Sequence, residues 1–274
     1  MSTLYLLDRN AVSDIKNHVD GKQFSCDKKD RFKRIQEIDK SENFVSPILS
    51  MIEGQLGREC DKEELHQCLV KETKYLQSFF KNANVDSEYL NRYSDDFSEV
   101  YSTYIESSWY ECYEVLKYSY PFLIQPLKSS DVNEYHKELF SLCRRLDVPL
   151  SHPAVVCCVA ASLGCNNSRN IIKPKLGIDG DSLNKKLYNT MTDLMIIPRV
   201  CLIKIIARHN FVNLKVEFLS FDVPLTKFLS CVLWSGDIRD MNGLALKIGY
   251  RKELFPKLSE SKYLELMECM GFIS

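Results

Sequence analysis

Leu4-Tyr5-Leu6-Leu7-Asp8-Arg9-Asn10-Ala11-Val12-Ser13-Asp14 runs four apolar residues directly into a carboxylate. An apolar run this short, closed by a capping residue, predicts a buried strand, a turn at Asp8 and a helix over about 11–19. Asp8 then has two readings. It is the N-cap of the helix, a place Asp favours. It is also a carboxylate at the carboxyl end of a buried strand, where open α/β sheets place their ligands.

A second stretch of the same form lies far downstream. Leu214-Lys215-Val216-Glu217-Phe218-Leu219-Ser220-Phe221-Asp222 alternates as a strand and also ends on an acid. Between the two, Asn43-Phe44-Val45-Ser46 is extended, because the residue before Pro47 avoids the helical region. Pro47 then opens a helix to about Leu56 that carries Glu53. Asp193 sits on a helix expected over 187–207, kinked or restarted at Pro198. Helices are also expected over 61–81, 86–118 and 130–145, and over the wholly apolar 154–163, which Gly164 ends. Residues 122–127 and 231–234 read as further strands, and 244–247 and 260–270 as helical.

Composition limits the function classes. The chain has 274 residues, 45% of them apolar and 27% charged, as in a globular protein. It has no apolar run of about 18 residues and no basic region followed by a long apolar core, so no membrane and no leader are expected. Eleven cysteines stand mostly among apolar neighbours with no Cys-x-x-Cys pair, which predicts reduced core thiols in a cytoplasmic protein and no structural zinc. No glycine-rich phosphate loop follows any strand, which disfavours a nucleotide-binding enzyme.

Net charge is −1, but it is segregated. Residues 86–116 hold eight acids and one base, whereas 166–215 hold nine bases and three acids. The basic stretch is either a set of solvated helix faces or a surface for a polyanion. In the second case Lys173, Lys175, Lys185 and Lys186 are the backbone contacts, with Arg9 a further phosphate contact. The aromatic residues of 86–118 lie on an acidic segment and read as a packing stripe.

Carboxylates in apolar settings are costly to bury unless they are paired or bind a cation. Asp8, Glu53, Asp193 and Asp222 together predict an all-oxygen site for a divalent metal. Asp179 and Asp181 compete with Asp193 for the third place.

Leu6-Leu7-Asp8-Arg9-Asn10, Phe44 to Glu53, Thr192-Asp193-Leu194, and Phe218 to Asp222 with Leu225 downstream resemble the motifs of the PIN-domain nuclease family. The resemblance implies a three-layer α/β fold with a central parallel sheet flanked by helices. It implies Mg2+- or Mn2+-dependent cleavage of phosphodiester bonds by an activated water, in RNA more than DNA and usually single-stranded. Members act as toxins, in defence or in RNA processing. Asn10 and Ser220 would orient the acids. Glu53 and Asp193 are separated by far more chain than such a fold needs. The expected organisation is therefore a discontinuous core, 1–56 with 150–240, a mainly helical insertion, 57–149, and a helical tail, 241–274. The insertion shapes substrate access, binds an inhibitory or activating protein, or forms a homo-oligomer. The rival reading is a catalytically inactive interaction protein on the same scaffold.

Overall fold

The structure is a computed structural model, and it describes residues 2–23, 25–52, 62–92, 108–211, 213–239 and 243–272. The chain forms two compact units, one of 1–105, 199–222 and 237–243, the other of 106–198, 223–236 and 244–274.

In the first unit, β1 (Ser2–Leu7) leads into α1 (Arg9–Val19) and α2 (Cys26–Glu37). Then come β2 (Asn43–Ser46), α3 (Ile48–Ile52), α4 (Lys62–Phe79), β3 (Asn84–Val85) and α5 (Ser87–Arg92). The unit closes with the end of the helix Gly180–Asn210 and with β4 (Leu214–Leu219). The sheet order is β3-β2-β1-β4, and every pairing is parallel. Parallel neighbours need crossover connections, which α1 with α2, and α3 with α4, supply. The chain steps outward from β1 to β3 and later returns to the far side of β1. The reversal of strand order therefore falls between β1 and β4.

Leu7, Ala11, Val12, Ile15, Ile35, Val45, Leu76 and Leu219 make one buried cluster that joins the sheet to α1, α2 and α4. Two acids on these helices are also buried, and each has a cation. Asp14 pairs with Lys28 at 2.9 Å and Glu72 with Lys16 at 2.7 Å, so both pairs run between helices. Asp39, just past α2, fastens the entry to β3 by accepting backbone N–H groups from Lys81 (3.1 Å), Asn82 (2.8 Å) and Ala83 (2.8 Å).

The second unit is mainly helical: α6 (Trp109–Ser119), α7 (Ser129–Arg145), α8 (Pro153–Ser162), α9 (Asn166–Ile172), α10 (Gly180–Asn210, shared with the first unit and divided at Pro198), α11 (Val223–Ser230) and α12 (Glu260–Cys269). Every residue of α8 is buried. It ends as its sequence predicts, with Gly164 at φ 87° and the N–H groups of Gly164 and Cys165 bonded back to Ala161 and Ala160 at 3.1 and 2.9 Å. His152 caps the start of α8, its Nδ1 accepting from Ala154 N–H at 3.2 Å. Cys112 Sγ lies 3.3 Å from the same nitrogen, and burial pushes its thiol up well beyond the ordinary range, so this pair is structural and not a nucleophile with its base. Cys143, Cys157, Cys158, Cys165 and Cys201 are likewise buried free thiols. No helix among the described residues is long and apolar enough to cross a membrane.

Three elements differ from the sequence reading. Residues 122–127 are not a strand. Pro121 starts a 3-10 turn over Pro121–Leu123, its fixed φ suiting the first helical position, and Leu123 is buried. Residues 244–247 are not helical, despite good helix formers, because β6 (Gly243–Tyr250) pairs with β5 (Val232–Arg239). The sheet also takes its edge strand β3 from inside the stretch expected to be a helical insertion.

Burial raises the Asp39 carboxyl, but the N–H groups of Ala83, Asn82 and Lys81 and the Asn82 amide outweigh it, so it titrates below its ordinary value. A depressed carboxylate stabilises the fold at neutral pH, and that contribution fades as pH falls through the folded pKa. Asp39→Ala should therefore destabilise by about 1 kcal/mol at pH 7, given the exposure of the site. Urea midpoints of wild type and variant should converge as pH drops below about 4.

Candidate functional site

Leu6 and Leu7 are buried, so β1 carries the chain straight to an acid with little water around it. Asp8 is 2% exposed. Its backbone N–H donates to Leu219 O at 3.1 Å, extending the β1–β4 ladder by one bond. Oδ1 accepts from Ala11 N–H at 2.8 Å, which caps α1. Oδ2 accepts from the Ser220 hydroxyl, and Ser220 Oγ in turn accepts from Asp222 N–H at 3.0 Å. Burial raises the Asp8 carboxyl; hydrogen bonds from Ser220, Ala11 and Asn10 oppose this without overcoming it, and Asp8 titrates above its ordinary value.

Asp8, Asn10, Ser220 and Asp222 thus share the carboxyl ends of β1 and β4, at the point where strand order reverses. Asp222 is half-buried, while Arg9 and Asn10 are exposed in the first turn of α1. Glu53 lies outside the described residues. Asp193 belongs to the second unit, half-buried on α10 between the buried Thr192 and Leu194. Its charge is felt by the buried Cys157 thiol, which burial first, then Cys158 and Cys165, and more weakly Asp193, push well up.

Asp179 and Asp181 are exposed at the start of α10. Of the basic residues, Lys173, Lys175 and Lys185 are exposed and Lys186 is half-buried. Burial lowers the Lys186 ammonium, and the charges of Lys173 and Lys175 lower it further, so these three form one basic cluster. Lys173 ends α9 in the left-handed region at φ 49°, and Lys175 N–H donates to Tyr120 Oη at 3.0 Å, which fixes the loop that carries them.

One acid went unsingled in the sequence. Asp86 directly follows β3, its N–H donating to Val45 O at 2.9 Å. Burial pushes its carboxyl up to about 6, against the opposing effect of the Ser46 hydroxyl. The signal was present: Val85-Asp86 repeats the apolar-then-Asp ending of Leu7-Asp8 and Phe221-Asp222.

Among the described residues no group of three or more His, Cys, Asp or Glu side chains is arranged to hold a metal ion. The oxygens of Asp8, Asn10, Ser220 and Asp222 nevertheless suit a hard cation in kind. Mg2+ needs only one or two carboxylates and keeps several waters. A buried acid with a raised pKa is also one whose ionised form a cation would favour. No family model, curated protein or solved structure matches the chain.

The Asp86 shift has a sign that can be tested. From about pH 4 to 6 the folded protein keeps this proton after the unfolded chain has lost it, so stability falls as pH rises across that window, by about 3 kcal/mol in all. Asp86→Asn should flatten that slope and raise stability at pH 7 by roughly 1–3 kcal/mol, read from urea midpoints at several pH values. An unchanged slope would show that Asp86 titrates normally.

Proposed function

We propose that this chain is a Mg2+- or Mn2+-dependent nuclease with a PIN-like fold, cleaving single-stranded RNA in preference to DNA. The observation that carries the reading is the Asp8–Ser220–Asp222 chain of hydrogen bonds at the β1–β4 crevice, the place where open parallel sheets bind ligands. Asp8 and Asp222 would hold the ion, with Asn10 and Ser220 setting their orientation. When bound, the metal supplies an activated water and neutralises charge at phosphorus. The chain's own residues prepare the site. The Leu6–Leu7 core excludes water beneath Asp8, and Ser220 keeps one carboxylate oxygen fixed while tying in the Asp222 backbone. Glu53 and Asp193 remain the proposed further ligands, and Arg9 a phosphate contact. The Lys173, Lys175 and Lys186 cluster, with Lys185, would bind RNA backbone.

A second reading has its own observation. Both oxygens of Asp8 already accept hydrogen bonds, one of which is a helix cap. That arrangement serves equally a scaffold that binds a partner without catalysis.

Asp222→Asn separates the two, because Asp222 is half-buried and joins the hydrogen-bond chain through its backbone N–H, which the substitution keeps. In a cleavage assay on single-stranded RNA with Mn2+, this variant should lose at least about 100-fold in kcat while its urea midpoint stays near wild type. Wild-type protein that leaves both RNA and DNA intact would favour the scaffold. Replacing Lys173, Lys175 and Lys186 together by Gln should weaken RNA binding and reduce the slope of log K against log salt by about 2.

A further inference from the structure

A cavity of about 970 Å³ opens at the β3 edge of the first unit, away from the proposed catalytic crevice in sequence and strand order. We propose that it binds a guanidinium group, presented by an arginine side chain of a peptide partner. The Asn84 amide nitrogen donates to Ser41 O at 3.0 Å and to Asn43 O at 3.4 Å, leaving its carbonyl oxygen. The Gln77 amide nitrogen donates to Ser87 Oγ at 2.6 Å, again leaving a carbonyl oxygen. Among the described lining residues, Asp86 and Glu88 add carboxylates and Arg92 is the cation. The wall thus offers acceptors to a ligand rich in donors, with a net negative charge that repels phosphate.

Phe44 supplies the second feature. It lines the cavity and is 41% exposed, an unusual state for an aromatic residue on the inner strand of a parallel sheet. A planar cation stacks on an aromatic face and meets a carboxylate with two parallel hydrogen bonds, which an ammonium does not do. The volume lies at the upper end of the range for small-molecule sites and exceeds what a lone guanidinium fills, so the group arrives on a larger body. Asp86 is half-buried in this cleft, and an acid partly withdrawn from water in a cleft is a common mark of a binding site. This inference does not depend on the nuclease reading.

The test is calorimetric titration of the full chain with acetyl-Ala-Arg-Ala-amide, beside the same peptide carrying citrulline, free arginine, and guanosine monophosphate. The arginine peptide should bind saturably, and the neutral citrulline isostere should bind at least about tenfold more weakly. Asp86→Asn and Glu88→Gln should each weaken the arginine peptide, Asp86→Asn by about tenfold or more, and Phe44→Ala severalfold. Tighter binding of free arginine than of the peptide would overturn the peptide partner. Equal binding of citrulline, preference for guanosine monophosphate, binding unchanged in the Asp86 and Glu88 variants, or no heat up to about 10 mM peptide would each overturn the site.

Discussion

The Ser220 hydroxyl reaches Asp8 across 212 positions of sequence. This contact, with the Asp8 N–H bonded to Leu219 O, fastens the first strand to the last strand of its sheet. Almost all else in the first unit depends on that junction. β1 has β2 on one side and β4 on the other, so β1 organises the hydrophobic cluster from both flanks. α1 starts where it does because Asp8 caps it, and the cap is held in place by Ser220. Losing the junction would loosen the terminal strand β4 from β1.

The same junction explains why the site has its electrostatic character. A carboxylate at the end of a buried strand loses water, and three neighbouring hydrogen-bond partners do not make up for it. Asp86 repeats the situation two strands away, with burial again the dominant cause. Asp14 and Glu72, as buried as Asp8, instead have lysines within 3 Å. The first unit thus treats two sets of acids differently: Asp14 and Glu72, between helices, are neutralised by lysine, whereas Asp8 and Asp86, at strand ends, titrate upward. Acids that a fold leaves uncompensated at the carboxyl edge of a parallel sheet are where ligands are expected.

How far the sequence was readable follows from how much of each element is local. β1 and β4 announced themselves because a full apolar or alternating run ends on an acid, and the cap reading and the site reading of Asp8 both rested on neighbours in sequence. The orienting role of Ser220 was only what the family resemblance implied; its hydrogen bond to Asp8 spans the chain and has no local signal. β3 was invisible because two residues, Asn84 and Val85, carry no periodicity; the strand exists only through pairing with β2 and the clasp of Asp39 on the turn before it. β6 was misread because Ala245, Leu246 and Lys247 favour helix, and a pairing partner overrode that propensity. The candidacy of Asp193 rests on its apolar neighbours and on motif order; the chain sets it half-buried on α10 between Thr192 and Leu194.

The central claim is that Asp8 is a ligand held ready by Ser220 and not a helix cap alone. The most direct measurement is the pKa of Asp8 from its side-chain carboxyl 13C shift, with and without Mg2+. Without the ion the carboxyl should titrate above the ordinary aspartate value. With saturating Mg2+ the titration should move down by at least about one unit, and Asp222→Asn should reduce that movement. A titration curve that Mg2+ and Mn2+ leave unchanged would contradict the account and return Asp8 to the role of a buried cap.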